Sequence, residues 1–120
     1  MRCLECHPGP AERAGFPAVA KCMSCHVEIR KESANIQALA ALPKDAKPFP
    51  QTRVFRIADF VFFSHARHTA AQVECAKCHG AVMTKEIVTR DFPLNMKFCV
   101  DCHKANAART TCNACHELNQ

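Results

Sequence analysis

The ten cysteines of this chain form five pairs with identical spacing, and a histidine follows each pair at once. The pattern C-x-x-C-H stands at residues 3–7, 22–26, 75–79, 99–103 and 112–116. Two thiols at this spacing can each form a thioether with one vinyl group along a haem edge, and the histidine then becomes the proximal ligand of the iron. The pattern therefore predicts five covalently bound c-type haems.

The cysteines and histidines of these motifs are the predicted site residues. The haem-attaching cysteines are Cys3, Cys6, Cys22, Cys25, Cys75, Cys78, Cys99, Cys102, Cys112 and Cys115. The proximal histidines are His7, His26, His79, His103 and His116. Zinc sites and disulfide scaffolds also use paired cysteines. Zinc sites would need the motifs to converge in pairs, and five is an odd number. A disulfide scaffold gives no reason for a histidine after each cysteine pair. Haem attachment therefore explains the pattern better.

The composition predicts a fold organised around cofactors. The chain has 120 residues with eight Phe, no Trp and no Tyr, so its own side chains can form only a thin core. Five haems would supply most of that core, and we expect the chain to stay unfolded without them. The predicted class is a small multihaem cytochrome c, mainly α-helical and irregular. Short helices and loops would wrap a haem core, with little or no β-structure.

We expect one pentahaem domain over residues 1–120, built from three segments. Residues 1–26 carry two haems, residues 27–60 form a helix and a proline-rich connector, and residues 61–120 carry three haems. Apolar spacing predicts a helix over residues 27–42, which Pro43 ends. Residues 53–63 form either a short strand or an extended apolar strip. Their phenylalanines are expected to pack against haem faces: Phe55, Phe60, Phe62 and Phe63.

The net charge does not indicate nucleic-acid binding. The formal charge is +5, but each haem brings two propionates, and five ferrous haems would make the sum −5. Lysines and arginines are therefore expected to offset propionates and to form a docking surface. No segment is long and apolar enough to span a membrane. Haem is attached outside the cytoplasm, so we expect a periplasmic or otherwise extracytoplasmic protein and an export signal upstream of Met1.

Two histidines lie outside the motifs, His65 and His68. On a helix, residues three apart lie about 60° apart around the axis and about 4.5 Å apart along it. Two neighbouring imidazoles could therefore reach two different irons as sixth ligands. The alternative is a pair of surface or zinc-binding histidines.

Three irons then lack an obvious sixth ligand, and methionine is the usual substitute. Met96, just before the fourth motif, is the first candidate; Met83, Met23 and Met1 are weaker ones. The two remaining irons are open, or they take ligands from a segment absent from this chain or from a neighbouring subunit.

The run F-V-F-F-S-H-A-R-H at residues 60–68, with the motif at 75–79 after it, resembles the F-x-H-x-x-H…C-x-x-C-H pattern of the cytochrome c3/c7 group. Residues 14–17 leading to the second motif, and residues 96–103, are similar to the pentahaem subunit of alternative complex III. That complex is a bacterial quinol:electron-acceptor oxidoreductase.

The c3/c7 resemblance implies that His65 ligates the haem held by Cys75 and Cys78. It further implies that His68 ligates the haem held by Cys99 and Cys102. The complex III subunit also carries a membrane anchor and another F-x-H-x-x-H before its first motif, and this chain shows neither. That difference suggests a truncated version or a relative that borrows ligands from a partner.

The predicted function is non-enzymatic electron transfer in a quinol-oxidising complex or a relative of one, with a cytochrome or an iron–sulfur subunit as redox partner. A second hypothesis is a free c7-like shuttle or a subunit of a haem filament. A third is a small-molecule reductase using an open iron. No acid–base cluster accompanies any motif, so the third hypothesis has the least support.

Overall fold

The computed structural model describes residues 3–11, 15–48 and 53–116 of the chain. Its α-helices are short: α1 (Cys3–Cys6), α2 (Val19–His26), α3 (Ala34–Ala40), α4 (His65–Ala70), α5 (Ala76–His79) and α6 (Met96–Ala105). Short 3₁₀ turns lie at Val82–Thr84 and Cys112–Ala114. These described ranges contain no β-strand. The predicted class, small and mainly α-helical or irregular, is therefore confirmed, and the strand alternative for residues 53–63 is wrong.

Each C-x-x-C-H motif lies on a helical turn. In the first, third and fifth motifs the histidine backbone N–H donates to the carbonyl of the first cysteine, at 2.8, 2.9 and 2.9 Å. The second and fourth motifs lie within α2 and α6. Residues three apart are neighbours on a helix, so this local geometry places both thiols of a motif on one side and the histidine on the next turn.

The helix predicted over residues 27–42 is shorter than expected, because only Ala34–Ala40 is helical. Residues 27–33 form turns instead, and Arg30 adopts a left-handed φ of 58°. These turns bring the Ile29 carbonyl within 3.0 Å of the Nδ1 atom of His26. The helix prediction was therefore wrong for residues 27–33.

Side-chain caps begin the two helices that carry His65, His68 and His103. The Ser64 Oγ accepts a hydrogen bond from the Arg67 N–H at the start of α4. The Asn95 side chain accepts one from the Phe98 N–H at the start of α6. Removing such a cap costs about 1 kcal/mol, so both caps contribute to placing the site residues that follow them.

The described side chains do not close a hydrophobic core of their own. Val19, 1% exposed, is the only buried residue among them. Folded chains of this mass expose about 6,500 Å², whereas this chain exposes 9902 Å². The polypeptide alone therefore buries far less surface than a globular protein of its size.

The chain divides into two compact units, Met1–Thr52 (unit 1) and Arg53–Gln120 (unit 2). Unit 1 contains the first two motifs, and unit 2 contains the other three and α4. The predicted single pentahaem domain stays a prediction, and residues 49–52 of its connecting segment lie outside the described ranges. None of the described helices has the length and apolar character needed to cross a membrane.

Candidate functional site

Four motif histidines and His68 direct one ring nitrogen at a backbone carbonyl. The Nδ1–H groups of these histidines donate as follows: His7 to Gly15 (2.8 Å), His26 to Ile29 (3.0 Å), His103 to Arg109 (2.6 Å), His116 to Phe60 (3.4 Å) and His68 to Ser64 (2.8 Å). A carbonyl can only accept, so the proton must lie on Nδ1. This tautomer leaves the Nε2 lone pair available, as in histidines that ligate metals.

In unit 2, the two histidines of α4 lie opposite two motif histidines. The His65 and His79 rings are 6.3 Å apart between centroids and nearly parallel, at 13°. The His68 and His103 rings are 6.0 Å apart at 47°. Metal–imidazole bonds are about 2 Å long, so two imidazoles on opposite sides of one metal ion have centroids about 6 Å apart. Both separations fit that arrangement. These are the pairings that the resemblance to c3/c7 proteins implied, and ligation itself stays a prediction.

The electrostatic surroundings of His65 favour its neutral form. Burial, followed by the charge of His68, lowers the pKa of His65. A neutral imidazole is the form that binds metal, so this environment suits a ligand.

Phenylalanines of residues 55–63 contact the histidines directly. Phe63 packs against both His65 and His68, at 4.7 and 4.6 Å between ring centroids. The edge of Phe55 meets His79 at 4.4 Å. These phenylalanines therefore contact histidine rings, and their predicted packing against haem faces stays a prediction.

The fifth motif also contacts the strip formed by residues 55–63. The Phe60 ring stacks on His116 at 5.8 Å, and the Phe60 carbonyl accepts its Nδ1–H. The Phe62 N–H donates to the Cys115 carbonyl at 2.8 Å. Together with α4, which follows it, this strip reaches a histidine of every motif in unit 2.

Unit 1 supports its two motif histidines differently. Phe16 packs on His7 at 4.8 Å, and the Gly15 carbonyl holds the same ring. His26 is held by the Ile29 carbonyl. Residues 1–52 contain no further histidine, so unit 1 has no imidazole to place opposite either ring.

The motif thiols lie close together within each unit. Burial, followed by the charge of Cys6, raises the pKa of Cys22. Burial also raises the pKa of Cys78, with smaller contributions from Cys102, Cys99 and Cys75. In Cys99, burial raises the pKa first, followed by the charges of Cys115 and Cys102. In unit 2, the third motif therefore neighbours the fourth, and the fourth neighbours the fifth.

None of the ten cysteines is in a disulfide. In the part of the chain that the structure describes, no three His, Cys, Asp or Glu side chains converge as a metal site would require. Five pairs of cysteine thiols, each followed by a histidine, are the donor set that covalent haem attachment needs.

The methionines are less clearly placed. Met96 begins α6, three residues before Cys99, and its side chain is 66% exposed. Met83 is also exposed, and Met1 lies outside the described residues. Methionine ligation stays a prediction.

Sequence patterns did not reveal the carbonyls that hold the Nδ1 atoms. Gly15, Ile29, Phe60 and Arg109 contribute through the backbone, so their residue types carry no signal for this role. The Phe63 contacts did have a sequence signal, because Phe63 lies two residues before His65 and five before His68.

Comparison with known families agrees with the site. Residues 61–117, a little under half of the chain, match the family model described as "Cytochrome c7 and related cytochrome c". No curated protein matches the chain. The match supports multihaem electron transfer and covalently bound haem c, and it supports the wider c3/c7-like group that the motifs indicated. Residues 61–117 are therefore similar to cytochrome c7 and related cytochromes c.

Proposed function

We propose that this chain is a non-enzymatic electron carrier with five covalently bound haems. The observation that carries the proposal is the pair of facing imidazoles in unit 2, His65 with His79 and His68 with His103, at 6.3 and 6.0 Å. This spacing suits one iron between two rings. Each iron with two axial imidazoles has no open position for a substrate, which favours a carrier over an enzyme.

The residues that would hold each haem follow from the motifs. Both cysteines of a motif form the thioethers, and the Nε2 atom of its histidine is the proximal ligand. When bound, haem supplies reversible one-electron chemistry at its iron. The chain orients the imidazoles through the carbonyls on Nδ1, and these hydrogen bonds raise the basicity of the ligands. Phe55, Phe60 and Phe63 pack against these rings and help to orient them.

The proposed setting is outside the cytoplasm, as a subunit or relative of a quinol-oxidising complex. The resemblance of residues 14–26 and 96–103 to the pentahaem subunit of alternative complex III supports this role. The redox partner would be a cytochrome or an iron–sulfur subunit. Residues 1–52 hold no histidine beyond the two of their motifs, so the other axial ligands of these irons would come from a segment outside this chain or from a neighbouring subunit. The alternative is a free c7-like shuttle or a haem-filament subunit.

Two measurements test this proposal. The intact mass of the denatured holoprotein should correspond to the chain plus five haems; a lower number would show that at least one motif carries none. Purification of the tagged holoprotein from its native membranes should then recover quinol-oxidising subunits. Recovery of monomers or fibres alone would contradict the complex and support the alternative.

A further inference from the structure

Gly80, directly after His79, ends α5 in a conformation and a space that only glycine fits. Its φ is 69°, in the left-handed region. A Cβ at this position would overlap the Asp91 carboxylate and lie 3.0 Å from the Asp91 Cβ. The chain after His79 is therefore packed tightly against Asp91.

Asp91, eleven residues after Gly80, holds this part of the chain through its carboxylate. Its carboxylate accepts hydrogen bonds from the Ala81 N–H and from the Lys85 ammonium. Lys85 also donates to the Thr89 carbonyl at 3.2 Å and to the Thr89 Oγ1 at 2.9 Å. An ammonium has three donors, so Lys85 uses all of them to close the loop of residues 80–91.

This ion pair is the most shielded one in the described part of the chain. The Lys85 and Asp91 side chains are 21% and 33% exposed, whereas each side chain of the other ion pairs is at least 55% exposed. The hydrogen bond from Lys85 lowers the pKa of Asp91, so the carboxylate stays ionised. Solvent and salt therefore screen this pair less than the exposed pairs.

The two facing imidazole pairs differ in how the motif histidine is held. His103 lies inside α6, a helix of ten residues that continues beyond it. His79 is the last residue of α5, a helix of only four residues. Beyond His79, the Gly80 N–H donates to the Ala76 carbonyl at 2.9 Å, and α5 then ends. The packing of Gly80 against Asp91 is therefore the next restraint on the backbone after His79.

We propose that the Lys85–Asp91 pair is a positioning device for His79, which keeps its imidazole nearly parallel to that of His65. The inference rests on the proposed placement of these two rings on one iron. Lys85 and Asp91 act through Gly80 and Ala81, which follow His79 directly.

The test uses electron paramagnetic resonance of the oxidised holoprotein at low temperature. Near-parallel imidazole planes give a rhombic low-spin ferric signal, and a larger angle between the planes raises its largest g value. The signal of this iron is the one lost in His65→Ala. In Asp91→Asn and Lys85→Gln its largest g value should rise and its midpoint potential should shift, with the other signals unchanged.

Matched variants keep the result interpretable. Asp59→Asn removes a carboxylate from the exposed Arg56–Asp59 pair of the same unit and should leave every signal unchanged. Lys85→Arg keeps the charge and should retain the wild-type signal. Lys85→Gln keeps donors toward Thr89, so it provides the test where Asp91→Asn does not assemble.

A wild-type signal and potential in both Asp91→Asn and Lys85→Gln would overturn the inference. If His65→Ala removes no low-spin signal, the proposed placement of His65 and His79 fails instead, independently of Lys85 and Asp91.

Discussion

The two units of this chain carry the same motif, but different groups surround its histidine in each unit. In unit 2, His79 and His103 each face a second imidazole from α4. In unit 1, His7 and His26 are oriented from the Nδ1 side by carbonyls, and residues 1–52 contain no other histidine. If haem attaches as proposed, the motifs would set the number of haems, whereas histidines outside the motifs would set how each iron is coordinated.

The units also differ in how aromatic residues reach their histidines. In unit 1, Phe16 contacts His7. In unit 2, residues 55–68 contact motif histidines of all three motifs, through Phe55, Phe60 and the two imidazoles of α4. One short stretch of chain thus organises unit 2, and its residues are the most sensitive positions to change.

The largest effect is expected from removing haem altogether. The chain expressed without haem attachment should lose its helical circular dichroism, because Val19 is the only described side chain that it buries. Both units should be affected equally. Retained helicity in the haem-free chain would show that at least one unit folds on its own side chains and would break the comparison.

The next largest effect is expected in α4. His65→Ala and His68→Ala should each open one iron of unit 2, so each reduced variant should bind carbon monoxide at one haem more than the wild type, and the double variant at two more. Absorption titration with the gas measures this number. Arg67→Ala, on the same helix between them, is the control and should bind no more than the wild type. An unchanged number in His65→Ala would contradict its role as a ligand.

Replacing Phe63 should destabilise unit 2. An aromatic pair contributes about 0.5–1.5 kcal/mol beyond its buried area, and Phe63 contacts both His65 and His68. Phe63→Ala should therefore lower the free energy of unfolding by about 1–3 kcal/mol. Denaturant unfolding of the holoprotein gives the value. A loss below about 0.5 kcal/mol would show that Phe63 does not hold both imidazoles.

The smallest effects are expected at exposed ion pairs, one in each unit. Glu28–Lys31 lies in unit 1 and Arg56–Asp59 in unit 2, and all four side chains are at least 55% exposed. Exposed pairs contribute about 0–1 kcal/mol, so Glu28→Gln and Asp59→Asn should each change the unfolding free energy by less than about 0.5 kcal/mol. A larger loss at either position would reveal a contact beyond the pair.

Sequence patterns predicted the parts of the site that depend on residue type. The motif cysteines and histidines follow from thioether chemistry, and the three-residue spacing of His65 and His68 predicted that they serve different partners. The helical and irregular class was also predictable, because so few large apolar residues cannot form a sheet or bundle core.

Backbone-dependent features could not be predicted in this way. The apolar spacing of residues 27–42 gives no sign that the Ile29 carbonyl is needed by His26, so the left-handed turn at Arg30 was missed. The Lys85–Asp91 pair was missed for a similar reason, since its role depends on where Gly80 directs the chain.

Carbon monoxide binding to the reduced wild-type holoprotein tests the central difference between the units most directly. His65, His68 and Met96 would be the sixth ligands of three of the five irons, so binding at about two haems is expected, both assigned to unit 1. Removing a motif of unit 1 by Cys22→Ala with Cys25→Ala should lower that number by one, whereas Cys75→Ala with Cys78→Ala should leave it unchanged. No binding in the wild type, or binding that disappears with the motif at residues 75–79, would contradict the difference in coordination between the two units.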